Sequence, residues 1–172
     1  MSKPFPTFKE ALWATLPMLA YLCLVEIFIG LRTDHFLIAG LFLFLFYIGP
    51  TARKLAVALL PFILFAICYD WMRVYPNFEV NPIDVQGLYD AEKSLFGITV
   101  GGQTLIPCEF FAAHHCTIAD FMAGIFYLCW VPVPIAFGIW LYLKGKRQLY
   151  LRFSIAFLFV NLIGFAGYYI HP

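Results

Sequence analysis

Five long apolar stretches dominate this chain and decide what it can fold into. A transmembrane helix needs about 20 mostly apolar residues, and only the second stretch is clearly short of that. The chain is 63% hydrophobic and 12% charged, which leaves too little polar material to cover a water-soluble surface. The sequence therefore predicts an all-α, polytopic membrane helical bundle of about five transmembrane helices, over residues 11–31, 36–49, 55–72, 118–143 and 149–170.

The polar residues are concentrated in one sizeable segment between the apolar stretches. This segment carries an excess of acidic residues, as a loop outside the cytoplasm often does. It divides the chain into N-terminal transmembrane helices over 1–72, an extracytoplasmic amphipathic loop over 73–117, and two further transmembrane helices over 118–172.

The stretch "DVQGLYDAEKSLFG" predicts a short amphipathic interfacial helix within that loop. Asp84 is suited to cap its start and Gly97 to end it. Leu88, Leu95 and Phe96 share one face at helical spacing. Such a helix lies in the headgroup plane or covers the mouth of the bundle; the alternative is a packed connector.

The distribution of lysine and arginine predicts the orientation. Most of these residues lie in the N-terminal tail and in the turns after the second and fourth apolar stretches, and the side richer in them is normally cytoplasmic. We therefore expect a cytoplasmic N-terminus, with loop 73–117 and His171 facing the periplasm or a lumen. No basic run is long enough to indicate nucleic acid as a partner.

Polar groups in apolar helices are costly, so each needs a partner or a role. Glu26 is either a proton relay or headgroup contact, or a structural group bonded inside the bundle. Asp70 and Arg73 are three residues apart, which favours an interfacial ion pair on one helix face. Asn161 is placed to hydrogen-bond across helices.

The stretch "HHCTIAD" offers histidines and an acid, which are the groups of acid–base and nucleophilic catalysis. His115 and Asp120 are five residues apart, so on a helix they would not share a face. Headgroup contacts at a helix start are therefore the better interpretation. Cys108 and Cys116 share the same polar loop, and the sequence leaves their pairing open.

Two backbone features in the last two apolar stretches bear on packing. Pro132 and Pro134 predict a kink, needed either for packing or for a lateral groove that admits a lipid chain. Gly164 and Gly167 predict close approach of another helix, from this chain or another.

The order of several stretches gives a resemblance to a known family. "YDWMR", "LYDAEKSLFG", "FYLCWVPVPIAFGIWLYL" and "NLIGFAGYYIHP" together resemble the N-terminal half of the inositol phosphorylceramide synthase (aureobasidin-resistance) family. That family is an integral-membrane branch of the type 2 phosphatidic acid phosphatase superfamily. The resemblance covers roughly 69–172 and is weak over the first two helices.

The resemblance implies a metal-independent phosphotransfer with no cofactor. A histidine attacks the phosphodiester of an inositol phospholipid donor and displaces diacylglycerol, and phosphoinositol then passes from the histidine to the hydroxyl of a ceramide acceptor. The catalytic histidines of the family come after the last helix seen here, so we expect no catalytic residue in this chain and the remaining catalytic half of the protein as its partner. The alternatives are a lipid phosphatase of the same superfamily and a non-catalytic membrane scaffold or lipid-binding subunit.

The resemblance also implies a set of substrate-binding positions at the mouth of the bundle. Among them, Arg73 and Lys93 are the candidate phosphate contacts, because a lipid phosphate needs cationic donors. The alternative is that the charged members only tie the loop to the bundle. The full set is Tyr69, Asp70, Arg73, Tyr89, Asp90, Lys93 and His171.

Overall fold

The computed structural model describes residues 5–170 and shows a bundle of helices with one small β-hairpin. This confirms the predicted all-α class. In chain order the elements are α1 (Phe8–Phe28), α2 (Thr33–Ile48), α3 (Pro50–Ala58), α4 (Leu60–Trp71), α5 (Asn77–Val80), α6 (Val85–Phe96), β1 (Ile98–Val100), β2 (Gln103–Leu105), α7 (Pro107–Ala113), α8 (Thr117–Cys129), α9 (Pro132–Leu143) and α10 (Arg147–Ile170).

The apolar helices identify an integral membrane protein. By length and composition α1 and α10 each suffice to cross a bilayer, and the bent pairs α3–α4 and α8–α9 bring the number of spans to as many as four. The predicted span 36–49 corresponds to α2, which has 16 residues. At 1.5 Å per residue this helix is shorter than a hydrocarbon core of about 30 Å, so a fifth span stays a prediction.

The first helix begins earlier than its apolar residues indicate. Thr7 and Glu10 form a capping box, in which each side chain satisfies a backbone N–H of the other residue. The helix ends at Phe28, and Gly30, at a φ of 88°, donates its N–H to the Val25 carbonyl. Local capping therefore shifts α1 toward the N-terminus of the predicted range 11–31.

The predicted span 55–72 is two helices joined at an angle of 47°. Pro61 lacks an N–H and cannot continue the hydrogen-bond ladder, and the Phe62 N–H bonds to the Leu59 carbonyl instead of the Ala58 carbonyl. The freed Ala58 carbonyl accepts a hydrogen bond from the hydroxyl of Tyr150 in α10. A side chain of a neighbouring helix thus provides a hydrogen bond for the carbonyl that is freed at the break. In the interior of a bilayer, where no water is present, such a carbonyl needs a partner from the protein.

The predicted kink at Pro132 and Pro134 is confirmed. The axes of α8 and α9 differ by 50° across the break at Trp130 and Val131. The bend leaves α8 with almost all of its side chains exposed within this chain, although they are largely apolar. Its outer surface is therefore available to lipid or to further protein.

The close helix contact occurs at a different glycine from those predicted. A Cβ added to Gly138 in α9 would lie 2.7 Å from Cζ of Phe62 in α4, whereas Gly164 and Gly167 have open space around them. Among the described residues, no helix of this chain approaches Gly164 or Gly167 closely, and approach by a helix of another chain stays a prediction. Gly138 and Phe62 pack beside Leu141 and Tyr150 in a core that joins α4, α9 and α10.

Contacts between helices define two ends of the bundle. At one end the Tyr47 hydroxyl of α2 lies 2.7 Å from the Thr15 hydroxyl of α1; we call this the basic end, because Lys54 and Arg147 lie beside the same helices. At the opposite end the Tyr169 hydroxyl of α10 donates to the Tyr75 carbonyl at 2.8 Å. We call that the Asp70 end.

The polar loop begins at the Asp70 end and contains the predicted helix. In α6 the Asp84 side chain accepts the Gly87 N–H at 2.8 Å, and Gly97 follows the last turn. Leu88 and Leu95 are exposed, as expected of an apolar face turned to a membrane surface. After α6 comes the β1–β2 hairpin, which the sequence analysis did not predict; its turn is Gly101-Gly102, with both φ angles positive.

Candidate lipid-headgroup site

Four charged or titratable residues join the start of α2 to the end of α4. Arg32 Nη2 lies 2.5 Å from Asp70 Oδ1 and 2.7 Å from Asp34 Oδ2, and Arg32 Nε donates to Asp34 Oδ1 at 3.2 Å. His35 Nε2 lies 2.7 Å from the other Asp70 oxygen. His35 is fully buried, and the Asp70 side chain is only 10% exposed. We call Arg32, Asp34, His35 and Asp70 the Asp70 cluster.

The hydrogen bonds of His35 fix its tautomer. The backbone N–H of Arg32 donates to His35 Nδ1 at 3.0 Å, so Nδ1 carries a lone pair and not a proton. The ring proton is then on Nε2, which donates to Asp70. His35 is therefore a neutral donor that holds the carboxylate, and the Arg32 guanidinium supplies the opposite charge.

The cluster has the donor atoms of a metal site, but hydrogen bonds within the cluster already occupy those atoms. Ligand atoms of Asp34, His35 and Asp70 lie within 4.8 Å of one another. The Arg32 guanidinium already bonds to both carboxylates, and the His35 nitrogen that faces Asp70 carries the proton. A metal ion would have to displace a delocalised cation that is well matched to two carboxylates, so we assign no metal to this cluster.

Asp70 of this cluster also lies close to Arg73, which stands at the edge of an open cleft. Arg73 Nε lies 3.6 Å from Asp70 Oδ1, and its side chain is 56% exposed. The predicted Asp70–Arg73 pair therefore exists, but Arg32 and His35 are the closer partners of the carboxylate. The cleft, which we call the Tyr69 cleft, has a volume of about 470 Å³ and is lined by Tyr69, Met72, Arg73, Pro76, Asn77, Phe165 and Tyr168.

A groove lined by uncharged, largely aromatic side chains lies beside the cleft and reaches α8. It has a volume of about 450 Å³ and shares Tyr69, Phe165 and Tyr168 with the cleft. We call it the α8 groove; its other lining residues are Tyr127, Trp130, Val160, Asn161 and Gly164. The kink after α8 thus borders a lateral groove of the kind that the sequence analysis gave as one alternative.

Asn161 does not bond across helices as predicted. Its side-chain amide donates to the Phe157 carbonyl of the same helix at 2.7 Å. The carbonyl four residues earlier is within reach of a short polar side chain, so the amide is satisfied without a neighbouring helix.

The predicted site residues of the loop form a separate group. The Tyr89 hydroxyl donates to the Glu109 carboxylate at 3.1 Å, and Lys93 Nζ lies 5.3 Å from the centre of the Tyr89 ring. Asp90 accepts hydrogen bonds from Gln86 one turn earlier in α6. These contacts stay within the loop, so among the described residues they do not tie it to the bundle.

The loop is instead attached to α10 through two other side chains. Asn81 donates to the Tyr169 carbonyl, and the Tyr169 hydroxyl donates to the carbonyls of Met72 and Tyr75. These bonds hold the last turn of α10 against the end of α4. His171, which the sequence analysis placed in the site, lies outside the described residues.

Two other candidates from the sequence differ from expectation. His115 Nδ1 lies 3.6 Å from Asp120 Oδ2, because His115 precedes the first residue of α8 and helical spacing does not apply to it. Glu26 lies near the end of α1, where its carboxylate accepts the Leu31 N–H at 3.0 Å. This bond gives Glu26 a local role at the helix end, but Glu26 is exposed and is not bonded inside the bundle as the structural alternative had it.

Sequence reasoning missed Arg32 and His35, the two closest partners of Asp70. The signal was present in "RTDHF", where a cation, an acid and a histidine stand together immediately before an apolar stretch. This signal is weak by itself, because the second apolar stretch is short and the pairing with Asp70 depends on tertiary structure.

The fold and the site together define a helical integral membrane protein with a charged cluster, a cationic cleft and an apolar groove at one end. Over 167 residues the chain is 62% identical to the phosphoinositol dihydroceramide synthase of Bacteroides thetaiotaomicron, a match that covers 97% of this chain and 55% of that protein. The chain thus spans about half the length of this curated relative. The match confirms the predicted resemblance to a synthase of this kind and extends it beyond 69–172. Neither a protein-family model nor a solved structure matches the chain.

Proposed function

We propose that this chain is the part of a membrane lipid phosphotransferase that holds a phosphoinositol donor lipid at the Asp70 end. In this proposal the donor phosphate binds at Arg73 and an acyl chain occupies the α8 groove. The observation that carries it is the adjacency of the two spaces, which share three lining residues: the Tyr69 cleft has a guanidinium at its edge, and no charged side chain lines the groove. A glycerophospholipid has the same order of charged and apolar parts.

Arg73 has the chemistry that a phosphodiester requires. A guanidinium presents several N–H donors in one plane and remains charged at any physiological pH. The contact with Asp70 uses Nε, and the two terminal nitrogens of the group belong to the same planar fork. Asp70 in turn is held by Arg32 and His35, so we assign Asp70 a positioning role toward Arg73.

The loop residues are proposed to act on the headgroup side. Tyr89, Asp90 and Lys93 lie on the polar loop that starts beside the cleft, and Lys93 supplies a second cation on that loop. With the excess of lysine and arginine at the other end of the bundle, we propose that this end faces the periplasm or a lumen. His171 is proposed to lie at the same end, since it follows the last turn of α10.

The acceptor and the covalent step are proposed from the relative's name. Phosphoinositol dihydroceramide synthase joins a phosphoinositol group to a dihydroceramide, and a sphingoid hydroxyl is the corresponding acceptor here. Because the chain spans 55% of that relative, we propose that the residues forming the covalent intermediate belong to the remaining half of the protein. A lipid phosphatase would use the same donor contacts with water as acceptor.

Cross-linking of a donor lipid tests the binding proposal directly. The chain is placed in nanodiscs with a photoactivatable phosphatidylinositol at low mole fraction. We expect the Arg73→Gln variant to lose about tenfold of the cross-linking to peptides that line the Tyr69 cleft, because one charge-assisted contact contributes ~1.5–3 kcal/mol. The matched control is Arg152→Gln, which removes the same exposed group from α10. Equal cross-linking in Arg73→Gln and the parent chain would contradict the proposal.

Product analysis distinguishes transferase from phosphatase. The chain is co-expressed with the part of the Bacteroides relative outside the matched region and supplied with labelled phosphatidylinositol and ceramide. A transferase gives labelled inositol phosphorylceramide, whereas a phosphatase gives water-soluble inositol phosphate. Robust transfer by the 172-residue chain alone would contradict the assignment of the covalent step to other residues.

A further inference from the structure

A large cavity lies at the basic end, opposite the Asp70 cluster. It has a volume of about 1020 Å³ and is bounded by the start of α1, the end of α2, the start of α3 and the turn between α9 and α10. We call it the Trp13 cavity. None of its lining residues belongs to the Tyr69 cleft or the α8 groove, so the donor site does not account for it.

The interior of this cavity is apolar and aromatic. Phe42 and Phe46 form its buried wall, each only 6% exposed, and Met18 packs beside them. Trp13 borders the cavity and is 80% exposed within the chain. Exposed tryptophan at a helix end is typical of the boundary between hydrocarbon and headgroups. The cavity therefore spans the depth at which a lipid changes from chain to headgroup.

Its rim is cationic. Arg53, Lys54 and Arg147 line the cavity together with one acid, Glu10, whose carboxylate accepts the N–H and the hydroxyl of Thr7 at 2.7 and 2.9 Å. This leaves an excess of positive charge among the lining side chains. The rim is thus suited to a ligand with a negative headgroup.

Arg53 is also fixed in orientation. Its Nε donates to the Phe46 carbonyl at 3.1 Å, and its guanidinium lies 5.4 Å from the centre of the Phe46 ring. A guanidinium braced in this way loses little side-chain entropy when it binds a phosphate, because its geometry is already set.

We propose that the Trp13 cavity binds one anionic phospholipid, with its phosphodiester at Arg53, Lys54 and Arg147 and an acyl chain against Phe42 and Phe46. Charge complementarity selects this occupant over a neutral lipid or an apolar helix, since neither of those carries an anion for Lys54 and Arg147. Basic pockets between transmembrane helices suit anionic headgroups. The site lies at the opposite end of the bundle from Arg73, so it does not depend on the proposed donor site.

Native mass spectrometry of the full chain tests this site. The protein is released from nanodiscs of phosphatidylcholine with a few per cent phosphatidylglycerol, and retained lipids are counted. The test variant is Lys54→Gln/Arg147→Gln. The matched control is Lys144→Gln/Arg152→Gln, which removes one lysine and one arginine from the same end outside the cavity. Val57→Trp fills the cavity without changing charge, and circular dichroism verifies that each variant is folded.

The proposal predicts one tightly retained phosphatidylglycerol per chain. Apparent affinity should fall about tenfold in Lys54→Gln/Arg147→Gln and in Val57→Trp, and less than twofold in the control. Equal losses in the test and control charge variants would show diffuse attraction to the basic end and overturn the site. Retention of phosphatidylcholine as tightly as phosphatidylglycerol, or unchanged affinity in Val57→Trp, would overturn it as well.

Discussion

The buried imidazole of His35 donates from Nε2 to the Asp70 carboxylate across 2.7 Å, which joins two helices at the end of the bundle where the Tyr69 cleft opens. The same carboxylate accepts the Arg32 guanidinium and lies against Arg73. Asp70 is therefore the residue through which a structural cluster and a candidate headgroup contact are connected.

Replacing His35 by alanine should lower the stability of the bundle. The change removes a buried donor and leaves one oxygen of Asp70 without that partner, at a cost of about 1–3 kcal/mol. The measurement is the unfolding midpoint in a denaturing-detergent titration. His115→Ala is the control, because that side chain is 71% exposed; equal midpoints for the two variants would contradict the assigned role of His35.

Gly138→Ala should destabilise the contact between α9 and α4. The added Cβ would lie 2.7 Å from Cζ of Phe62, a ring that is 4% exposed and has little room to move. Overpacking of this kind costs about 1–3 kcal/mol. A double variant with Phe62→Leu should recover part of the loss in the same detergent titration.

Gly164→Ala serves as the matched control for that packing prediction. A Cβ added to Gly164 would have no neighbouring atom within 4 Å, and alanine favours a helix over glycine by up to ~1 kcal/mol. We expect stability unchanged or slightly raised. A loss equal to that of Gly138→Ala would show that lipid contact, and not Phe62, governs both positions.

Tyr150→Phe should weaken the junction between α3 and α4. The hydroxyl is the group that satisfies the Ala58 carbonyl at the break before Pro61, and interhelical hydrogen bonds in membranes contribute about 0.6–1.7 kcal/mol. The unfolding midpoint should fall accordingly. Tyr142→Phe removes a hydroxyl from the neighbouring ring and should have a smaller effect; the reverse order would be inconsistent with the assigned bond.

The thiol of Cys116 should react with maleimide at lower pH than an unperturbed thiol. The backbone N–H groups of Ala119 and Ile118 lower the pKa of this exposed thiol. A lowered pKa means that thiolate is present below the ordinary titration range and is lost only as pH falls further. The check is the pH profile of labelling in a variant that retains only this cysteine, and denaturation should shift the midpoint upward. A profile unchanged by denaturation would contradict the folded-state cause.

Sidedness of labelling tests the proposed orientation. A membrane-impermeant maleimide added from outside should reach Cys108, and a variant Lys144→Cys should be labelled only after the membrane is opened. Both positions lie outside the apolar helices, so accessibility depends on sidedness and not on burial in lipid. The opposite pattern would reverse the assignment of the two ends.

Features that depend on local chemistry were predictable from the sequence. The α6 helix follows from Asp84 and the apolar stripe, and the α8–α9 bend follows from Pro132 and Pro134, because capping and proline geometry act within a few residues. The break at Pro61 also follows from proline geometry within a few residues. It was not predicted, because the span 55–72 was assigned from its hydrophobicity alone.

The site depended on contacts between distant parts of the chain. The partners of Asp70 lie 38 and 35 residues earlier, and no spacing rule connects them. The close contact at Gly138 was not predicted for the same reason, since the sequence does not show which glycine of a helix packs against another helix of the chain. For Asn161 the error was the opposite. A hydrogen bond across helices was predicted, whereas the side chain donates to a carbonyl of its own helix.

The order in which the residues of the Asp70 cluster occur in the sequence affects how α4 is inserted into the membrane. Arg32 and His35 precede Asp70, so during synthesis the counter-ion and the donor leave the ribosome before the acid does. When α4 enters the translocon, its carboxylate can meet a partner that is already in place, and the energetic barrier to inserting that acid falls. The hydrogen bonds of the cluster thus link the first two helices to α4 through residues of which two are synthesised before the acid that they hold.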